Sequence, residues 1–263
     1  MRLRVVPQFM KVIFHEDFLE CYTRDPAAVN GRLDSALALA REHHSLVTPS
    51  PCTEEQLLRV HTPTHIAHVR ADRSVYPIAL LAAGAAIEAS RLAMAGEPAF
   101  ALCRPPGHHA SPDSCWGFCY FNNVAVAVKD LLAREVVQKV LIVDYDLHYG
   151  DGTANTFANT PTVTYLHLKG SNRQAFLKHL QEFIQDEKAD LVAVSAGFDR
   201  HIKDWGGMLT TDDYGKIGHL LGDFARARCG GRIFTALEGG YNAISVGEAF
   251  AAFCGGVERG LTP

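Results

Sequence analysis

Nothing in this chain divides it. No Pro/Gly/Ser-rich linker, block of like charge or low-complexity tract interrupts its 263 residues, and no motif returns at a fixed period. Modular arrays and solenoids are thereby excluded, and one large α/β domain over residues 1–263 is expected. Cysteine is present without forming a framework. The seven residues Cys21, Cys52, Cys103, Cys115, Cys119, Cys229 and Cys254 are odd in number and contain no CxxC pair. That argues against a disulfide scaffold or a zinc ribbon and suits the reduced thiols of a cytoplasmic protein. No charge dominates either: 25 Lys and Arg stand against 29 Asp and Glu, scattered, so a nucleic-acid partner is not expected. Continuous apolar runs are also missing. The opening MRLRVVPQFMKVIF lacks the core of a signal peptide, and the window 78–95 carries Glu88 and Arg91 among its alanines. A buried helix of a soluble protein explains that window better than a membrane span.

What the chain does contain is an alternation of apolar strand-like runs with helical periodicity. Strands are expected at 11–14, 99–103, 140–143, 162–166, 191–195 and 233–237. Helices are expected at 30–44, 77–95, 124–134, 173–187, 212–228 and 246–257, with further short helices starting at Thr53 and Thr62. Such alternation implies a parallel sheet covered on both faces. His61, His65 and His68 lack neighbouring carboxylates and read as packing or surface residues. Cys115, Trp116 and Cys119 read as loop or packing residues, and Arg200, His201 and Asp204, trailing a more informative aspartate, as groups that support it or lie on the surface.

Four polar clusters, each directly after a strand-like run, carry the chemistry: Arg104-Pro105-Pro106-Gly107-His108-His109, the stretch DYDLHYGD at 144–151, Gly197-Phe198-Asp199, and Glu238-Gly239-Gly240-Tyr241-Asn242. Ligands of open α/β sheets bind at the carboxyl ends of strands, so these clusters can meet in one crevice. If the chain stays extended past Val143, Asp144, Asp146 and His148 point to one side. Buried carboxylates there are costly without a cation. Asp146, His148 and Asp199 make an O,N-ligand set suited to Zn²⁺, Fe²⁺, Co²⁺ or Mn²⁺, with positions left open for water and substrate. Metal-assisted hydrolysis is the chemistry this set favours. Asp144 and Asp151 remain to orient two histidines, and Tyr241, after two glycines that bring the backbone close, can donate to an oxyanion.

The motifs RPPGHHA, GFCYFNN, VDYDLHYGDGT, SAGFD and LEGGYN, in this order, resemble those of the histone deacetylase and acetylpolyamine amidohydrolase superfamily, and more closely its class II and bacterial branch. The resemblance runs from about 77 to 257, with a weaker match at Gly31-Arg32-Leu33. It implies the arginase/deacetylase fold, a three-layer α/β sandwich around a mainly parallel eight-stranded sheet. It implies removal of acetyl or short acyl groups from an amine substrate, acetyl-lysine or an acetylpolyamine, with Asp146, His148 and Asp199 as ligands. His109 would be the general base oriented by Asp151, His108 its electrostatic partner paired with Asp144, and Tyr241 the oxyanion donor. Gly117 would offer its carbonyl to the substrate amide, Phe118 one tunnel wall, and Gly239 a place in the substrate site.

The family also implies a structural potassium held partly by main-chain carbonyls around Asp144, Asp146 and His148, although relatives usually have a serine where this chain has Tyr165. Loops at 69–77 and 168–176 are short for the family. A shallower pocket lacking an aromatic wall is therefore expected unless a second subunit of a homo-oligomer completes the rim. Two rival functions are a two-manganese ureohydrolase, which would need a second carboxylate soon after Asp199, and a silent binding module, which would be expected to have lost a histidine or Tyr241.

Overall fold

The structure, a computed structural model, describes residues 10–263. Of the opening stretch read for a leader peptide, residues 1–9 lie outside the described residues. Seven short runs, mostly β-branched, alanine or aromatic, form the strands β1 (Lys11–Ile13), β2 (Ser45–Val47), β3 (Ala99–Ala101), β4 (Val140–Asp144), β5 (Val163–His167), β6 (Leu191–Ala196) and β7 (Ile233–Leu237). All pair in parallel, in the order β2-β1-β3-β7-β6-β4-β5. The described residues thus hold seven strands where eight were expected. They include β2, which carries no apolar alternation and escapes sequence reading because two of its three residues are exposed.

Among the described residues, nine α-helices connect and cover the strands: α1 (Asp34–His43), α2 (Glu54–Leu58), α3 (Pro63–Ala71), α4 (Tyr76–Met94), α5 (Asn123–Ala133), α6 (Asp151–Phe157), α7 (Arg173–Asp186), α8 (Thr211–Arg228) and α9 (Ala243–Leu261). Their starts are written in the sequence. Thr53 forms a capping box with Gln56, and Thr62 caps α3 with Pro63 at its first position. Asn122, next to last in GFCYFNN, and Asn242, last in LEGGYN, accept from Ala125 N and Ser245 N and so start α5 and α9. Helix α4 is apolar and long enough to cross a membrane, but most of its residues are buried against α5 and the strands β1, β3 and β7. Helix α6 was not expected, since polar DGTANTF has no apolar stripe; it begins at Asp151, where a carboxylate suits the helix N-terminus.

The consequence for function lies in the strand order. The strands β3, β7, β6 and β4 are consecutive neighbours, and they are the four whose carboxyl ends release the four polar clusters. Parallel pairing puts all those ends on one side of the sheet. One core of buried side chains spans the sheet and both helical layers, and every residue of β3, β4, β6 and β7 is buried.

Candidate active site

The strand β4 stops at Asp144, so the extension assumed for Asp144, Asp146 and His148 does not continue; residues 145–149 bend instead. The bend still gathers the expected ligands. His148 Nδ1 lies 3.3 Å from Asp146 Oδ1 and 3.2 Å from Asp199 Oδ2, and the three ligand atoms all fall within 4.8 Å of one another. Backbone donors fix the carboxylates. Gly239 N donates to Asp146 Oδ2 at 2.8 Å, His148 N to Asp146 Oδ1 at 2.9 Å, and Leu147 N to Asp199 Oδ1 at 2.9 Å. A Cβ on Gly239 would come within 2.6 Å of Asp146 Oδ2 and 2.7 Å of Asp199 Oδ2, which explains a glycine at this close approach.

Whether this set fits a divalent cation is answered by one atom. Asp199 Oδ2 is buried and, among the described residues, accepts from no backbone N–H or hydroxyl; what it meets is His148 Nδ1 at 3.2 Å, itself a candidate ligand atom. The electrostatics agree. Burial would raise Asp146, but the charge of His108 and the N–H groups of His148 and Gly239 hold it well below the carboxylate range. Burial, then the neighbouring Asp146, push Asp199 upward. Two adjacent buried carboxylates cannot both ionise cheaply without a cation between them, and His148, drawn up to about 9 by its hydrogen bonds to Asp146 and Asp199, stands in for it. The donor set fits Zn²⁺, Fe²⁺ or Co²⁺.

The two histidines are set apart electrically. His108 Nδ1 meets Asp144 Oδ2 at 3.1 Å, and His109 Nδ1 meets Asp151 Oδ1 at 2.7 Å. Burial works against a charge on His108, yet Asp146 and Asp144 raise it well above the ordinary histidine value. His109 is lowered, by burial first and by His108 second, with the ring centroids 4.1 Å apart. One imidazole is thus kept charged and the other neutral, the division of labour an acid/base pair requires.

Tyr241 lines the same pocket. Its ring stacks on Trp205 at 3.9 Å, meets Phe118 edge-on at 6.0 Å and lies 5.4 Å from the Arg32 guanidinium. Its hydroxyl has no hydrogen-bond partner among the described residues, and burial, then Asp146, push its pKa up, so it faces the site as a free donor. Gly117 turns at φ +60°, where a Cβ would sit 2.5 Å from His109 Cδ2, and Phe118 follows at φ +66°, a region costly for a non-glycine residue.

The pocket is a small cavity of about 140 Å³ lined by Pro106, His108, His109, Trp116, Gly117, Phe118, His148, Trp205, Gly239 and Tyr241. The expected missing aromatic wall is therefore supplied, from the loop after Asp199 rather than from the shortened loop at 168–176. A larger cavity of about 760 Å³ between α7, α8 and α9 contains none of the predicted site residues.

Several residues do more in the site than the sequence reading gave them, where Trp116 is a loop or packing residue, Asp204 a supporting or surface group, Arg32 a weak match near the inner pocket and Glu238 only part of its motif. Trp116 donates its indole N–H to Asp151 Oδ2 at 2.9 Å and lies over His109, centroids 3.9 Å apart. Asp204 Oδ2 accepts from Tyr241 N at 2.7 Å and Asn242 N at 2.8 Å. Buried Glu238 accepts from Gly107 N at 2.6 Å, His108 N at 3.1 Å and Ser195 Oγ at 3.2 Å, tying the histidine turn to β6 and β7. Arg32, buried, donates to the carbonyls of Gly240 and Glu238. Signals existed: Glu238 ends a buried strand as Asp144 does, and the only two tryptophans of the chain sit in loops beside motifs. His108, Cys119 and Glu238 also approach one another, but His108 Nδ1, Cys119 Sγ and both Glu238 carboxylate oxygens already have hydrogen-bond partners.

A profile described as Histone deacetylase domain matches residues 25–176 and 168–257, spanning the whole site. The chain belongs to the histone deacetylase family. Among relatives of this deacetylase-family chain, "Histone deacetylase HDA1" of Candida albicans is 30% identical over 84% of the chain and 34% of that protein. The "Histone deacetylase-like amidohydrolase" of Pseudomonas aeruginosa is 29% identical over 78% of the chain and 67% of its own length. A "Probable deacetylase" of Archaeoglobus fulgidus is 28% identical over 88% of the chain and 81% of its own length. The chain thus spans about a third of the Candida protein and most of the archaeal one. Together with the seven-stranded parallel sheet, the family assignment is consistent with the arginase/deacetylase fold.

Proposed function

We propose that this chain is a metal-dependent amidohydrolase that removes acetyl or short acyl groups from amines, acting as a single deacetylase domain in a reducing compartment. The observation that carries the proposal is the convergence, in one small pocket, of the Asp146–His148–Asp199 set, whose buried Asp199 Oδ2 faces His148 Nδ1, and two His–Asp pairs whose imidazoles are shifted in opposite directions. Asp146, His148 and Asp199 would hold the ion, Zn²⁺ foremost, with Fe²⁺ or Co²⁺ as alternatives. When bound, such an ion supplies Lewis-acid polarisation of a carbonyl and acidifies water.

The remaining work falls to side chains. Neutral His109, oriented through Nδ1 by Asp151, takes a proton at Nε2 and returns it to the departing amine. His108, kept cationic by Asp146 and Asp144, balances negative charge beside it. The Tyr241 hydroxyl donates to the oxyanion, and the aromatic rings of Phe118, Trp116 and Trp205 exclude water around the acyl-amine stem.

The pocket lining contains no Asp, Glu, Lys or Arg, which supports an acyl-lysine stem over a polyamine whose second ammonium would want a carboxylate. The ureohydrolase reading is disfavoured because the position after Asp199 is Arg200, and Asp204 spends one carboxylate oxygen on Tyr241 N and Asn242 N. Side-by-side hydrolysis of acetyl-lysine peptide, acetylputrescine and acetylspermidine tests the reading. Fastest acetate release from the peptide is expected, and no release from any of the three would overturn the proposal.

A further inference from the structure

Of the carbonyls that the family resemblance assigns to a structural potassium, around Asp144, Asp146 and His148, those of Asp144 and Asp146 already accept hydrogen bonds here. Arg200, the residue after the third ligand, turns its side chain back under the 145–147 bend. Its Nε lies 3.3 Å from Tyr145 O and 3.1 Å from Asp146 O, and its Nη2 lies 3.1 Å from Leu147 O. Three successive carbonyls thus already converge on one cation, the guanidinium. The Asp144 carbonyl also accepts a hydrogen bond, from Leu168 N at 2.8 Å. The carboxylate of Asp144 meets His108 Nδ1 at 3.1 Å and accepts from the Tyr165 hydroxyl at 2.9 Å and from Asp146 N at 3.1 Å. There is no slack around it: a Cβ on Gly150 would meet Asp144 Oδ2 at 2.4 Å and the Tyr165 hydroxyl at 2.6 Å.

We infer that Arg200 is a built-in replacement for the monovalent cation, a positioning residue that holds the ligand-bearing bend 145–148 and sets a fixed positive charge beneath it. The side chain is anchored for this task. Its guanidinium carbon lies 4.9 Å from the centre of the Phe176 ring, a cation–π contact, and its own carbonyl accepts from Met208 N at 3.0 Å and Leu209 N at 2.8 Å. The guanidinium fits three carbonyls through a rigid fork that an ammonium lacks, and although half-buried, where burial draws its pKa down, a guanidinium keeps its charge. It also couples the two loops that supply ligands, since the residue that follows Asp199 grips the carbonyl of Asp146. A soluble ion bound there would dissociate at low salt; a tethered guanidinium does not.

The inference rests on the proposed ligand set only through Asp146 and Asp199, and its test needs no turnover. Zn²⁺ affinity and thermal midpoint are measured for the full chain in K⁺ and in choline at equal ionic strength, for the natural protein, Arg200→Met and Arg200→Lys. Expected is no dependence on K⁺ in the natural protein. Arg200→Met should bind Zn²⁺ on the order of 10- to 100-fold more weakly, the loss typical of an outer-shell partner, and Arg200→Lys should recover part of it. Should Arg200→Met not fold, the ion exchange on the natural protein and Arg200→Lys still decide. Zn²⁺ binding or a thermal midpoint in the natural protein that rises with millimolar K⁺ would overturn the inference, as would Arg200→Met matching its affinity. Absence of deacetylation with these results intact would sink the proposed function and leave this inference standing.

Discussion

Tyr241 is held by contacts with its ring and its backbone, while its hydroxyl is left free. Tyr241→Phe keeps those contacts and removes only the donor. Turnover on an acetyl-lysine reporter should fall by on the order of 10²- to 10³-fold with Zn²⁺ binding unchanged, and full activity would remove Tyr241 from the reaction. At the same scale, His109 must be neutral to act as base. Burial and the charge of His108 lower its pKa, so protonation sets in below the usual histidine range. The acidic limb of kcat/KM is therefore expected below that range, moving toward it in His108→Phe, where the repelling charge is gone. These residues were legible because each sits at a strand end within a long motif. Glu238 also sits at a strand end within a motif, and Asp204 was read as a supporting or surface group, but what they and Trp116 hold was not legible, since such partnership has no fixed spacing in sequence.

Elements rather than residues decide how the site is kept in register. His61, between α2 and α3, accepts from Asn122 N at 3.0 Å through Nε2, so its Nδ1 carries the proton that reaches Ser111 O at 3.0 Å. A neutral imidazole thereby staples the histidine loop to the start of α5. Burial, then His65, lower its pKa from 6.5 to about 3. Between those values the unfolded chain takes up a proton that the folded chain refuses, so stability contributed here is whole above pH 6.5 and drains as the pH falls toward 3. The thermal midpoint should fall over that window, and His61→Asn, which cannot protonate, should show a shallower fall. Read from sequence, His61 was a packing residue; its buried environment bears that out, but its bridging role depends on loops 50 and 61 residues away. Gly239, at the end of β7, makes a second test. Its replacement by alanine should weaken Zn²⁺ binding, measured by calorimetry, because the added methyl meets both ligand carboxylates.

At the scale of the molecule, the strand order explains why distant motifs form one site. Alternating strands and helices made the parallel sheet and its buried helix α4 legible, and the carboxyl-end rule placed the four clusters together. What alternation could not convey was the aromatic neck. Loop lengths alone implied an open mouth, whereas Trp205 and Trp116 close it from positions where composition carries no period. The account as a whole claims one divalent ion held by Asp146, His148 and Asp199 in a deacetylating pocket. Its most direct test is the titration of chelator-stripped protein with Zn²⁺ while acetate release from an acetyl-lysine peptide is followed. Activity should be absent without metal, rise linearly and level off at one equivalent per chain; undiminished release from the stripped protein, or a requirement for two equivalents, would contradict it.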